Sequence, residues 1–242
     1  MQVANAVATR DHLLPSSNMK YLALAGGSLS LAALAFGTLS ASPSPSREAM
    51  PMFEITVTNL TRNQPFSPLL AASHNANAAF FVLGQPASSE LAELAEDGNN
   101  APLSDLLTSL SDVADVSSGA APIGPGGTDT ILVTAATDAR LLSVASMLVN
   151  TNDAFLALDS IDLPRHGTRR YLVPAYDSGT ETNNELCSFI PGPACGSAGV
   201  RDTAGAEGYV HVHAGIHGIG DLPAERYDWR NPVAEITVTR VR

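Results

Sequence analysis

The acidic segment PAYDSGTETNNELC, from Pro174 to Cys187, contains the residue types that bind hard cations. Its acids Asp177, Glu181 and Glu185 are spaced four residues apart, and a glycine after the first acid favours a turn. Two neighbouring asparagines add amide oxygen atoms. Calcium takes about six to eight oxygen ligands from carboxylates, amides, backbone carbonyls and water. The segment therefore supplies oxygen atoms of the kind that a calcium ion requires, on a bent loop.

Two other interpretations of these acids remain open at the level of sequence. A pair of carboxylates could hydrolyse glycosides, but that chemistry requires two acids that face each other across a cleft, which sequence spacing does not establish. The acids could also belong to a solvated turn held by local hydrogen bonds. The chain has no G-x-S-x-G motif of the kind found in serine hydrolases. We therefore expect no catalytic residues and no enzymatic activity.

A histidine-rich segment, GYVHVHAGIHGIGD, offers a different kind of metal site. On a strand, His211 and His213 would point to the same face, and His217 could approach them after a turn at Ala214–Gly215. Neutral imidazoles suit zinc or copper. The alternative function is therefore a periplasmic copper or zinc protein that uses these three histidines. The simpler interpretation is that they form hydrogen bonds at the edge of a loop.

The charge of the chain excludes some classes of partner. Its 242 residues include 13 Lys and Arg against 24 Asp and Glu, which gives a formal net charge of −11. A negative protein repels nucleic-acid phosphates and anionic membrane surfaces, and it attracts cations. We expect no nucleic-acid partner.

The first residues have the order of a secretory signal. Lys20 precedes the apolar run YLALAGGSLSLAALAF, and the small residues GTLSAS follow it before PSPSRE. We expect a signal peptide over residues 1–42, with Met19 as an alternative start, and a short linker over residues 43–51. An uncleaved membrane anchor over Tyr21–Ala41 is the competing interpretation. After cleavage the protein would be secreted to the periplasm, the cell surface or the medium, without stable membrane insertion.

Export also suggests a role for the two cysteines. Cys187 and Cys195 frame CSFIPGPAC, in which a Pro-Gly-Pro sequence can reverse the chain. In an oxidising compartment, two cysteines this close are most simply a disulfide. A soft-metal site would need more ligands than two cysteines provide.

Beyond residue 50 the sequence predicts mostly strands. FEITVTNL and AEITVTRV alternate apolar and polar residues, as half-buried strands do, and further strand candidates are DTILVTA, RLLSVASMLV, RRYLVPA and EGYVHVHAGI. Ser88 or Ser89 can cap a helix over ELAELAEDG, and LSDLLTSL predicts a second short helix. The predicted fold is all-β: an antiparallel β-sandwich with one or two short inserted helices, forming a single domain over residues 52–242.

Several motifs occur here in the order in which spondin amino-terminal domains carry them. FEITVTNLTRNQPFSP resembles the opening of such a domain, and SVASMLVNTNDAF, YDSGTE and VAEITVTRV continue the resemblance, which spans Met52 to Arg242. The resemblance implies a C2-like β-sandwich of the spondin type, found in extracellular-matrix and cell-surface proteins. We expect a secreted spondin-like domain that stands alone.

The resemblance also implies a set of calcium ligands. Spondin domains carry calcium on an aspartate in the segment that matches NTNDAF and on two acids in the segment that matches YDSGTE. These acids correspond here to Asp153, Asp177 and Glu181. The chain departs from the family pattern at Tyr176, where relatives often have Trp, and at Glu181, where they often have Asp.

The expected function is a calcium-binding, non-catalytic module for adhesion or recognition at the cell surface or outside the cell. Its partner would be a protein or a glycan at the cell surface or outside the cell. No feature of the sequence distinguishes a protein partner from a glycan.

The signal peptide leads to a first prediction. Because the charged start, the apolar run and the small residues have the order of a cleavable signal, we expect the mature amino terminus to lie between about Ser40 and Arg47. The intact mass of the exported protein measures this directly. Retention of Tyr21 to Phe36 would show instead that the chain remains anchored.

Overall fold

The computed structural model describes residues 50–242. Its strands are β1 (Met52–Asn59), β2 (Leu70–His74), β3 (Val113–Ser118), β4 (Thr128–Thr134), β5 (Leu141–Met147), β6 (Ala154–Asp162), β7 (Thr168–Val173), β8 (Ala175–Asp177), β9 (His211–Val212) and β10 (Ala234–Arg240). The helices are α1 (Ser89–Asp97), α2 (Ala101–Ser109) and α3 (Ala224–Tyr227), and Cys187–Phe189 forms a 3-10 turn.

Within residues 50–242, no helix combines the length and apolar composition needed to cross a bilayer. The predicted signal peptide, residues 1–42, lies outside the described residues, as does most of the predicted linker.

The strands form two antiparallel sheets. The four-stranded sheet has the order β4-β1-β10-β7, and the six-stranded sheet has the order β3-β2-β5-β6-β8-β9. In the four-stranded sheet, β1 and β10 pair along their whole length, from Phe53 opposite Arg240 to Asn59 opposite Ala234. The predicted antiparallel β-sandwich is confirmed.

The main core lies between the two sheets. Alternate residues of β1 point inward and are fully buried, namely Phe53, Ile55 and Val57. They pack with side chains of the facing sheet, including Leu142, Val144, Leu156 and Leu158. The outer face of β1 is polar, and its Thr56 hydroxyl is hydrogen-bonded to that of Thr130 at 2.9 Å. Because only one face of the strand is buried, apolar and polar residues alternate along it, and this alternation is the pattern from which β1 and β10 were predicted.

The two predicted helices cover the other face of the six-stranded sheet. α1 begins where the Ser88 hydroxyl accepts the N–H of Leu91 at 3.1 Å, and it ends at Gly98, whose φ of 66° suits glycine. The leucines of both helices pack on the sheet and form a second core, which includes Leu91, Leu94, Leu103, Leu107, Leu70, Ala145 and Phe155. The six-stranded sheet is therefore buried on both faces.

Burial on both faces explains two of the strands that the sequence analysis did not predict. β2, with the sequence LAASH, and the first half of β6, AFLAL, are buried at every position and show no alternation of apolar and polar residues. The predicted strand EGYVHVHAGI is reduced to the two residues of β9. Its flanks are irregular, and they carry residues of the candidate site.

The predicted disulfide is confirmed. Cys187 and Cys195 are bonded, with Cα atoms 4.8 Å apart. The loop that they close packs on the segment after β5, because the N–H of Ala194 donates to Asn150 Oδ1 at 3.0 Å. A Cβ added to Gly192 would lie 2.1 Å from the carbonyl oxygen of Val149. This close approach requires glycine.

Removal of the disulfide should destabilise the fold. The double substitution Cys187→Ser with Cys195→Ser frees a small loop in the unfolded chain and should lower the free energy of unfolding by about 2–3 kcal/mol. Urea denaturation of the exported protein measures the change. Ser188→Ala, at an exposed position of the same loop, should leave stability unchanged. Two free thiols in the non-reduced exported protein would contradict the pairing.

Candidate metal site

The candidate metal site lies where β6, β8 and β9 run side by side at the edge of the six-stranded sheet. Asp153 directly precedes β6, Asp177 is the last residue of β8, and His211 is the first residue of β9. The strand register places Asp177 opposite both Ala154 and His211. Residues that are far apart in the sequence therefore become neighbours.

The carboxylate of Asp153 organises the loop after β8. Its Oδ2 accepts hydrogen bonds from the hydroxyl of Ser178 at 2.8 Å and from the N–H groups of Thr180 at 2.8 Å and Glu181 at 3.1 Å. Its Oδ1 is buried and has no hydrogen-bond partner among the described residues. Burial raises the pKa of Asp153, and the hydrogen bonds to Oδ2 oppose that rise.

The same loop packs tightly against the segment that precedes β9. Gly179 has a φ of 68°, and a Cβ added to it would lie 2.3 Å from the carbonyl oxygen of Tyr209. Its own carbonyl accepts the N–H of Gly208 at 2.8 Å. Because both the φ and the contact exclude a side chain, this position requires glycine. The contact brings the segment that contains Glu207 next to the acidic loop.

Asp177 is fully buried and hydrogen-bonded at both oxygens. Its Oδ1 accepts the N–H of Gly179 and its Oδ2 accepts an amide N–H of Asn183, each at 2.7 Å. Burial, together with the negative charge of Asp153, raises the pKa of Asp177 to about 7. The site therefore resists ionisation of this acid at neutral pH.

Glu181 is also buried, and its Oε1 accepts the N–H of Asp202 at 3.1 Å. Burial, with the negative charges of Glu96 and Asp153, raises the pKa of Glu181 to about 8. Glu96, on α1, is buried beside Arg201, and burial raises its pKa as well. The helix thus contributes a further acid to the cluster.

The three expected calcium ligands are buried near one another, but their oxygen atoms do not form the tightest group. Within residues 50–242, Asp177, Glu207 and His211 form a group whose ligand atoms all lie within 4.8 Å of one another, whereas Asp153, Asp177 and Glu181 do not. Calcium ligation by Asp153, Asp177 and Glu181 stays a prediction. Glu207 and His211 lie next to Asp177 and were not among the expected calcium ligands.

The three histidines of the alternative metal site do not form such a group either, within the part of the chain that the structure describes. The Nε2 of buried His213 lies 3.1 Å from Asn183 Oδ1, and its Nδ1 accepts the N–H of Gly215 at 2.9 Å. Burial lowers the pKa of His213 to about 3, so its imidazole is neutral. His217 is exposed. Because both nitrogens of His213 are occupied, the structure does not favour a metal held by all three.

Two acids of the cluster carry no signal in the sequence. Glu96 lies in a segment whose spacing indicates only a helix, and Glu207 stands among small residues in AGAEGY. The acid Glu185, by contrast, stands out in the sequence but has a structural role, because its carboxylate accepts the N–H groups of His217 at 2.5 Å and Ile219 at 2.9 Å. The structure is therefore needed to distinguish the acids of the candidate site from an acid that only holds a loop in place.

The fold and the site define a class: an antiparallel β-sandwich with buried acids in the loops at a sheet edge. The Spondin_N family profile matches residues 56–185, more than half of the chain. The chain therefore belongs to the spondin N-terminal domain family, as its motifs indicated. A search of curated proteins found no match. The matched residues include the three expected calcium ligands, whereas Glu207 and His211 lie beyond them.

The raised pKa values predict how stability depends on pH in a chelator. Carboxyl groups of an unfolded chain titrate near pH 4, roughly, whereas Asp177 and Glu181 titrate at about 7 and about 8 in the folded protein. Between these limits the folded protein binds more protons than the unfolded chain. The free energy of unfolding should therefore fall as the pH rises from about 4 to about 8.

Circular dichroism melts in chelator should show a lower Tm at about pH 8 than at about pH 5. Glu181→Gln, which cannot ionise, should flatten this dependence, while Glu225→Gln, at an exposed position of α3, should keep the wild-type slope. A Tm that rises over this interval would contradict the raised pKa values.

Proposed function

We propose that the protein is a secreted, calcium-binding spondin-type module that serves adhesion or recognition at the cell surface or outside the cell, without catalysis. Its membership of the spondin family supports this function. So does the disulfide, because such bonds persist in oxidising compartments outside the cytoplasm. The partner is an extracellular or cell-surface protein or glycan.

The observation that carries the proposal is a concentration of buried acids that, within residues 50–242, is not matched by cationic side chains. Asp153, Asp177 and Glu181 are each at most 1% exposed. The guanidinium group of Arg201 is paired with acids of α1, namely Glu93, Glu96 and Asp97. An ionised carboxylate that is buried without a cation costs several kcal/mol, roughly. A bound divalent ion would offset this cost.

The residues present fit calcium in their chemistry. The Oδ1 of Asp153 is a buried carboxylate oxygen with no hydrogen-bond partner in the part of the chain that the structure describes, which is typical of an atom whose partner is an ion or water. Asp177 and Glu181 add two carboxylates, and calcium prefers oxygen ligands. The ion would supply positive charge that keeps the three acids ionised at neutral pH. Asp153, Asp177 and Glu181 would hold it.

The surface beside the site supports a role in recognition. Val82 and Leu83 lie at a turn that is joined to the segment before β9, because the N–H of Gly84 donates to the carbonyl oxygen of Val210 at 2.8 Å. The exposed fractions are 59% for Val82, 55% for Leu83 and 46% for Tyr209. Apolar side chains exposed together among polar groups are typical of surfaces that contact partners.

Calcium should stabilise the folded protein. A ligand that binds only the native state adds RT ln(1 + [L]/Kd) to the free energy of unfolding, which is about 2.7 kcal/mol when free calcium is about 100 times Kd. We expect a higher Tm in millimolar calcium than in chelator, measured by differential scanning calorimetry on the exported protein. Asp153→Asn, which removes the charge at nearly constant size, should lose most of this increment.

Asp105→Asn, at an exposed position of α2, makes the same chemical change away from the site and should keep the full calcium response. Identical melting of the wild type in calcium and in chelator would contradict the calcium site. The same variants test recognition: labelled wild-type protein should be retained on the surface of producing cells in calcium, and the Asp153→Asn protein should not. Equal retention of the two proteins would show that recognition does not depend on calcium binding.

A further inference from the structure

The imidazole of His211 is held with one nitrogen free. Its Nδ1 lies 3.1 Å from the carbonyl oxygen of Val212, and because a carbonyl only accepts, Nδ1 carries the proton. When the ring is neutral, Nε2 carries a lone pair; this atom is buried and, among residues 50–242, has no hydrogen-bond partner. It faces Asp177 Oδ1 at 3.7 Å and Glu207 Oε2 at 3.9 Å. Both separations exceed the reach of a hydrogen bond.

One amide fixes the two carboxylates in this orientation. The Nδ2 of Asn183 donates to Asp177 Oδ2 at 2.7 Å and to Glu207 Oε1 at 3.3 Å. The Oδ1 of Asn183 lies 3.1 Å from the Nε2 of buried His213, which holds the amide in place. The remaining oxygens of the two acids therefore face His211.

We propose that Asp177, Glu207 and His211 bind a transition-metal ion of the zinc type. Zinc bonds nitrogen and carboxylate oxygen at about 2.0–2.2 Å, which separates neighbouring ligand atoms in a tetrahedron by about 3.3–3.5 Å. The observed separations of 3.7 and 3.9 Å are close to this spacing. A histidine whose second ring N–H donates to a backbone carbonyl is the usual arrangement in metal sites.

The zinc site differs in chemistry and in residues from the calcium site. Calcium takes oxygen ligands, whereas an imidazole nitrogen favours an ion such as zinc. Glu207 and His211 belong only to the zinc set, and Asp153 and Glu181 belong only to the calcium set. Asp177 belongs to both, so each ion should alter the affinity for the other. Three protein ligands leave a fourth position for water or a partner group.

Zinc chloride is the probe that tests this inference. The exported protein, without a polyhistidine tag, is stripped with chelator, dialysed and titrated by isothermal titration calorimetry, and we expect one zinc ion per chain. His211→Gln and Glu207→Gln should each weaken zinc binding by about 100-fold or more, and Asn183→Ala by about 10- to 100-fold. His217→Ala removes an exposed imidazole outside the cluster and should keep the wild-type affinity.

Zinc-edge X-ray absorption of the wild type tests the same site without a substitution, and it should show one imidazole among oxygen ligands. Two or more imidazoles, wild-type affinity in His211→Gln, or equal loss in His217→Ala would each overturn the proposal. Glu181→Gln separates the two sites, because Glu181 belongs only to the calcium set and a glutamine can still accept the N–H of Asp202; this variant should lose the calcium-dependent stabilisation and keep zinc binding. If calcium has no effect on any variant while His211→Gln and Glu207→Gln lose zinc and His217→Ala keeps it, only the calcium site fails.

Discussion

The architecture of the site depends on one buried carboxylate, that of Asp153. By accepting hydrogen bonds from the hydroxyl of Ser178 and from the N–H groups of Thr180 and Glu181, it folds the loop after β8 back onto the start of β6. Hydrogen bonds to a charged acceptor contribute about 1.5–3 kcal/mol each, more than those between neutral groups. The loop that Asp153 secures carries Glu181 into the interior, and it packs through Gly179 on the segment before β9.

This arrangement concentrates negative charge where water is excluded. The loop acids Asp177 and Glu181 are joined by Glu96 from α1, and burial raises the pKa of each. The folded state can relieve the charge by binding protons or by binding cations, and the two compete for the same oxygens. Under the proposed metal binding, stability in acid without metal and stability at neutral pH with metal would have one origin. The imidazole of His211 lies beside these acids, and the proposed zinc site rests on its Nε2 nitrogen.

The layers of the fold influence how clearly an element can be recognised in the sequence. The four-stranded sheet is buried on one face, so β1 and β10 alternate clearly and were predicted close to their observed bounds. The six-stranded sheet is covered by the other sheet on one face and by α1 and α2 on the other. Its strand β2 and the start of β6 therefore carry small or apolar residues at nearly every position, without the alternation that identifies a strand. Neither was predicted.

The sequence by itself determined the fold class, the two inserted helices, the disulfide and the family, because each rests on local periodicity, on close spacing or on ordered motifs. It also pointed to the acids Asp153, Asp177 and Glu181 through those motifs. Only the tertiary structure decided that Glu207 and His211 face Asp177, and that Glu96 lies beside Glu181. These contacts join segments that are distant along the chain, and they arise from sheet register and helix packing, which no local pattern of residues encodes.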